Sequence, residues 1–211
     1  MREDKDSADR PSGPQDPAVA ARVLGVVLAG GRSTRMGREK AFVPLGGKPL
    51  LAHVLAALSP QVGRVAINAN GDPSRFSALG CAVFPDEVAD AGPLAGIVAG
   101  LRHAAAEQWE AVATCPSDAP FLPRDLVERL WRGLGHRQAA CVRTPAGLEP
   151  LFAVWRAGAW PAAARALREG RLAVRDALAD VGFVAVDWPD PAPFANLNTP
   201  EELARAAGRA P

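Results

Sequence analysis

The sequence has no surplus of either charge. Lys plus Arg number 24 and Asp plus Glu 23 among 211 residues, a formal net charge of +1. Nucleic-acid binders usually display a basic excess. A broad polyanion-binding surface is therefore excluded as the main role, and phosphate recognition must rest on a few placed cations and backbone amides. No apolar run reaches 18 residues, so there is no candidate membrane span. Cysteine is scarce. Cys81, Cys115 and Cys141 are odd in number and widely spaced, with no C-x-x-C pair. That excludes a disulfide framework and the common zinc motifs, and fits a reduced, cytoplasmic setting. Internal repeats, coiled-coil heptads and the G-x-S-x-G nucleophile elbow are also missing.

What is present is an ordinary globular composition, 48% hydrophobic and 22% charged, long enough to bury roughly 70% of its unfolded surface. Residues 1–21 carry Pro11, Pro14 and Pro17, many charges and almost no large apolar side chain. They read as a disordered tail with no signal-peptide core, and 22–211 as one domain. From Val23 strand and helix alternate. Strands are expected at Val23–Leu28, Val65–Ala69, Ala82–Phe84, Ala111–Cys115, Cys141–Thr144, Leu151–Trp155 and Phe183–Val186. Helices are expected at Lys48–Leu58, Leu94–Glu107, Pro123–Leu134, Ala162–Leu167 and Leu172–Leu178, with a last one opening at the Thr199-Pro200-Glu201-Glu202 capping box. This pattern predicts a three-layer α/β/α fold around a Rossmann-like, mostly parallel sheet.

In such sheets ligands bind beyond the carboxyl ends of the strands. The loop after the first strand, Leu28-Ala29-Gly30-Gly31 through Arg35 to Lys40, matches neither the dinucleotide fingerprint nor the Walker loop. It still pairs glycines, which allow close backbone approach to an anion, with cations for a polyphosphate; the plain alternative is a glycine turn with solvated cations. Acids and amides recur at the other strand ends: Asn68-Ala69-Asn70, Pro85-Asp86, Asp90-Ala91-Gly92-Pro93, and Cys115-Pro116-Ser117-Asp118. Asp118, fixed between two prolines, suits Mg²⁺, which takes one or two carboxylates plus substrate phosphates; an Asx turn is the alternative. His53, His103 and His136 read as structural or solvated. Cys115 reads as a small buried hydrophobe, and Trp155 mainly as packing, with a ligand pocket as the lesser alternative. Glu149-Pro150-Leu151-Phe152, Arg171 and Arg175 stay uncommitted between an acceptor pocket and solvent.

The segments LAGGRSTRMGREKAFVPLGGKPLLAHVL, INAN, PDEVADAGPLAGIVAGL, CPSDAPFL and NLNTPEEL, in this order, resemble the molybdenum cofactor guanylyltransferases. These belong to the nucleotidyltransferases of nucleotide-diphospho-sugar transferase fold type. The front motif is shared across that superfamily; GPLAG, CPSDAP and NLNTPEEL narrow it. The resemblance implies that the phosphate of molybdopterin attacks the α-phosphate of GTP, releasing pyrophosphate and forming a guanine dinucleotide cofactor. It implies a GTP site of Leu28, Ala29, Gly30, Gly31, Lys40, Asn68, Asp86, Gly92 and Asp118. Arg35, Lys40 and Asp118 would be catalytic and Asp118 the Mg²⁺ ligand, while Asn196, Asn198 and Thr199 would lie on the pterin side. Glu39 departs from the family, where Asp often precedes the lysine.

The nucleophile is already an anion, so positioning and charge neutralisation suffice without a general base. Delivery of the product implies transient contact with a molybdenum-insertion protein or apo-molybdoenzymes. Two alternatives remain. One is a cytidylyltransferase or another nucleotidyltransferase on a phosphorylated small molecule, against which Gly30-Gly31 and GPLAG speak. The other is a non-catalytic cofactor-binding protein, against which Lys40, Asp86 and Asp118 speak.

Overall fold

The computed structural model describes residues 16–30 and 40–208. Its elements are α1 (Pro17–Ala20), β1 (Val23–Leu28), β2 (Pro44–Leu45), β3 (Lys48–Pro49), α2 (Leu50–Leu58), β4 (Arg64–Asn68), β5 (Ala82–Phe84), α3 (Pro93–Ala106), β6 (Ala111–Pro116), α4 (Leu126–Leu134), β7 (Ala139–Thr144), β8 (Gly147–Arg156), α5 (Trp160–Arg168), α6 (Val174–Val181), β9 (Phe183–Asp187) and α7 (Pro200–Ala207). One sheet runs β5-β4-β1-β6-β8-β7-β9; β2 and β3 form a separate small hairpin. All neighbours in the large sheet are parallel except β8, which is antiparallel to β6 and β7. The ends of β1, β4, β5, β6, β7 and β9 and the start of β8 therefore share one edge.

Alternation of side chains across the pleat divides the core. Val23 and Val27 of β1 join Val65 and Ile67 of β4 and Ala111, Ala113 and Cys115 of β6 on the face covered by α2 and α4. Leu24, Val26 and Leu28 face α3, α5 and α6 with Ala66, Val112, Ala153 and Trp155. Both faces of β1 are buried, which explains its unbroken apolar run. α3 lies close to the sheet through Gly100, where an added Cβ would stand 3.1 Å from Val26. A third, small core packs Val43, Leu45 and Leu50 of the hairpin region against Leu197 and Ala206, beside Phe121 and Leu203. This core joins α7 to the segment that follows Lys40.

Several expectations shift. Residues 16–21, read as tail, form a capped helical turn: Asp16 accepts from the Ala18 amide at 2.9 Å, and Val19 enters the core. The rest of the expected tail lies outside the described residues. Lys48 and Pro49 pair in the hairpin, so α2 starts at Leu50. Pro123 precedes α4 rather than starting it, and its carbonyl accepts from Gln61 Nε2 at 2.8 Å. β8 starts at Gly147 because its pairing with β7 shifts between Cys141 and Val142, so that Pro150 falls within the irregularity and faces no paired partner on β7. Trp155 is fully buried on β8, paired with Val112 well inside the sheet, which removes it from any pocket at the strand ends. Among the described residues no helix is long and apolar enough to cross a membrane.

Candidate active site

Two groups of residues stand on the shared edge. The first begins where β4 ends. Asn68 follows Ala66 on the α3 face of the sheet and is only 2% exposed. Its Nδ2 donates to Asp86 Oδ1 at 2.9 Å and to the Phe84 carbonyl at 3.3 Å. Asn70 Nδ2 donates to the other oxygen, Asp86 Oδ2, at 2.7 Å, and Asn70 Oδ1 accepts from the Asp86 amide at 2.9 Å. The two amides thus clamp one carboxylate. Gly30 closes the knot from β1: a Cβ there would lie 3.5 Å from Asn68 Oδ1 and 3.6 Å from Asp86 Oδ2. Gly96 closes it from α3 more tightly, because a Cβ there would stand 2.1 Å from Asn68 Oδ1. Any side chain at Gly96 must displace Asn68. Gly92 has φ +69° as it turns the chain into α3, with Pro93 next, so its glycine serves backbone conformation.

The second group gathers distant segments. Lys40 Nζ donates to Asp118 Oδ2 and to Asn198 Oδ1. The ion pair is well shielded, with 12% and 14% of its side chains exposed. Asp118 stands just past β6, where the Ser117 amide donates to the Leu28 carbonyl at 3.1 Å and the Leu197 amide to the Asp118 carbonyl at 2.9 Å. Asn198 is fixed from behind: its amide and that of Thr199 both donate to Glu202 Oε2, at 2.6 and 3.0 Å. The Thr199 hydroxyl accepts from the Glu202 amide at 3.2 Å, completing the capping box. These backbone donors hold the Glu202 carboxyl below its ordinary range.

The sites expected from sequence distribute as follows. Lys40, Asp118 and Asn198 meet; Gly30, Asn68 and Asp86 meet; Gly92 opens α3 on the same edge. The Leu28 carbonyl and the Ala29 amide are engaged within the sheet, the latter donating to the Asn68 carbonyl at 2.8 Å. Gly31 and Arg35 lie outside the described residues. Asn196 does not join Lys40; it lines a neighbouring cavity of about 270 Å³ with Phe121, Leu197 and Arg205. The Thr199 hydroxyl is engaged as a helix cap. Sequence reasoning assigned no role to three members: Asn70, legible in the repeated Asn of N-A-N; Gly96, which stands in GPLAG with nothing in the sequence to announce its contact with Asn68; and Glu202, visible as a capping-box residue but not as the support of Asn198.

Several other titratable groups are buried or already engaged. His53 is buried, its Nε2 2.8 Å from the Leu45 carbonyl. His103 stacks on Phe84 at 5.3 Å, and burial followed by nearby Arg64 lowers its pKa. Burial, and then the Asp118 charge, pushes the Cys115 thiol far up. The Cys141 thiol is pushed up to about 12, chiefly by burial. Arg171 is spent on Glu169 and Asp180.

An oxygen set of one carboxylate and one amide carbonyl, Asp118 and Asn198, converges on the Lys40 ammonium. These hard donors suit Mg²⁺. Among the described residues no group of three or more His, Cys, Asp or Glu could enclose a metal.

Comparison with known proteins gives a consistent setting. The family model of the MobA-like NTP transferase domain matches residues 25–186. A molybdenum cofactor guanylyltransferase of Rhodobacter capsulatus is 49% identical, covering 89% of this chain and 96% of its own length. One of Rhizobium meliloti is 40% identical over 90% of this chain and 93% of its own. The crystal structure of molybdopterin-guanine dinucleotide biosynthesis protein A from Archaeoglobus fulgidus superposes with a TM-score of 0.70 at 27% identity, covering 89% and 97% of the two chains. The 4-diphosphocytidyl-2C-methyl-D-erythritol synthase of Anaerococcus prevotii, at 13% identity, shares the fold with a TM-score of 0.69.

Proposed function

The chain belongs to the MobA-like NTP transferase family and groups with the molybdenum cofactor guanylyltransferases, and from that premise we propose that it transfers GMP from GTP to the phosphate of molybdopterin. The bond formed joins the acceptor phosphate oxygen to the α-phosphorus of GTP; the bond broken releases pyrophosphate. The observation that carries the reading is the meeting of Lys40, Asp118 and Asn198, drawn from three distant segments to the edge where Gly30 and Asp86 also stand.

Each group has a part. The Asn68–Asn70–Asp86 knot supplies a fixed polar wall beside Gly30, whose missing side chain lets the nucleotide reach the backbone. Lys40 supplies positive charge to the phosphates when its present partners turn to other work. Asp118, with the Asn198 amide oxygen beside it, would hold Mg²⁺. Bound there, the ion would neutralise phosphate charge that develops during transfer. No residue need remove a proton, since the attacking phosphate is an anion; orientation and charge complementarity lower the barrier. Arg35 belongs to the same proposal by its place in the R-M-G motif.

The test is pyrophosphate release by purified protein with Mg²⁺, molybdopterin and each nucleoside triphosphate in turn. GTP is expected to support turnover and CTP not. Turnover with CTP alone overturns the guanine assignment; tight pterin binding without turnover on any nucleotide overturns the enzymatic one.

A further inference from the structure

Asp86 stands on the shared strand edge, and the terminal torsion of an aspartate is soft, so its carboxylate plane must be set by neighbours. One neighbour comes with the sheet: Asn68 is buried at the end of β4. The other does not. Asn70 is exposed and lies beyond the strand, yet it holds Asp86 at two points. Its Nδ2 donates to Asp86 Oδ2 at 2.7 Å, and its Oδ1 accepts from the Asp86 amide at 2.9 Å. An ionised carboxylate only accepts and a backbone amide only donates, so both ends of this side chain are fixed in role. The same Nδ2 lies 3.7 Å from the point where a Cβ on Gly30 would sit, which places Asn70 beside the glycine of the candidate site.

A loop residue can fix another only if the loop is itself held, and Arg75 supplies the hold. Its Nη2 donates to the Asn70 carbonyl at 2.7 Å and its Nε to the Asp72 carbonyl at 2.9 Å. Gly71, at φ +85°, bends the chain around the guanidinium; a Cβ there would stand 3.3 Å from Nη2. Asp72 caps the short helical turn Pro73–Leu79, its two oxygens accepting from the Ser74 amide at 2.9 Å and the Ser74 hydroxyl at 2.7 Å. The Arg75 guanidinium carbon lies 5.2 Å from the ring centre of Phe76, which is buried in the core. We infer that Asn70 is a positioning residue for nucleotide binding: it orients the Asp86 carboxylate, and Arg75 in turn orients Asn70. A line of contacts thus runs from Phe76 in the core to the acid at the edge. The inference rests on Asp86 belonging to the proposed nucleotide site, and it requires neither Asn70 nor Arg75 to touch the reacting atoms.

The experiment is calorimetric titration of wild type, Asn70→Asp and Arg75→Ala with GTP and Mg²⁺, acceptor omitted, and with CTP in parallel. Asn70→Asp keeps the shape and the bond to the Asp86 amide but turns an anion toward the Asp86 carboxylate. Loss of a hydrogen bond to a charged group, with repulsion in its place, predicts a GTP Kd raised about tenfold or more. Arg75→Ala loses exposed contacts one step removed and should raise that Kd about threefold. In turnover assays the GTP KM should follow the Kd while the acceptor KM stays within about twofold of wild type; a purely structural role lowers the melting temperature without that split. A Kd within about twofold of wild type in Asn70→Asp overturns the inference, as does an equal rise in the acceptor KM. If Asn70→Asp does not fold, Arg75→Ala decides, and an unchanged Kd there overturns it. Wild type that binds nucleotide yet turns nothing over, with binding weakened in Asn70→Asp, leaves the positioning role standing without the activity. Wild type that binds neither nucleotide removes the nucleotide site, and the inference with it.

Discussion

The two ends of the shared strand edge are built in opposite ways. At one end, Asn68, Asn70 and Asp86 lie within 18 residues of each other and are joined by ordinary hydrogen bonds of 2.7–2.9 Å. The sheet itself delivers them, since β4 and β5 are parallel neighbours. At the other end, Lys40 meets partners 78 and 158 residues away, and what joins them is mainly charge. The first end is satisfied before any ligand arrives and can act as a rigid wall. The second keeps its strongest groups paired with one another, so a ligand must replace those partners. Pre-formed shape and exchangeable charge are thus separated along one edge.

Breaking the charged end should have the largest effect. Asp118→Asn keeps the volume and removes the charge; pyrophosphate release under saturating substrates is expected to fall by about 10²–10³-fold, the size typical of lost electrostatic stabilisation. The wall is tested next. Gly96→Ala drives a methyl into Asn68 Oδ1, and overpacking of this kind costs about 1–3 kcal/mol, readable by urea denaturation. The same variant should raise the GTP KM more than it lowers kcat; an unchanged GTP KM would separate the wall from nucleotide binding.

The support behind Asn198 gives a smaller effect. Glu202→Ala removes the acceptor for two backbone amides and half of the capping box, with an expected Tm loss of about 2–4 °C and a few-fold drop in turnover. Glu202→Gln should recover most of both, since glutamine also serves in a capping box. The Glu202 carboxyl is held below its ordinary range in the fold. Its contribution to stability is therefore present above the unfolded carboxyl pKa and lost as pH falls through the lower folded value. A Tm-against-pH series should show a shallower acid limb in Glu202→Gln. Smallest of all, Cys115 and Cys141 are buried with raised pKa values, so iodoacetamide at mildly alkaline pH should leave both unmodified in the folded protein and label both in urea.

The wall and the charged joint also differ in how far the sequence reveals them. Val23–Leu28 could be read outright because a strand buried on both faces is apolar throughout. The Thr199–Glu202 box was legible because a helix cap is a local motif. Asn68, Asp86 and Asp118 were legible as polar punctuation after apolar strands. Gly96 was not, since a glycine within a helix announces neither its neighbour nor the distance to it. Nor was the start of β8, where Gly147, Glu149 and Pro150 resemble a loop and only the shifted pairing with β7 makes room for the proline. That Asn198 approaches Lys40 depends on the small core joining Val43, Leu45 and Leu197, a packing fact spread over most of the chain.

The same separation has a bearing on how the molecule is made. Ribosomes release the chain from its N-terminal side, so Asn68, Asp86 and Gly96 emerge about a hundred residues before Asn198. A domain generally folds as a unit, so the Asn68–Asp86 wall gains its lasting form together with the C-terminal segment. A chain cut short before α7 would lack both the Glu202 brace on Asn198 and the small core that ties Val43, Leu45 and Leu50 to Leu197 and Ala206.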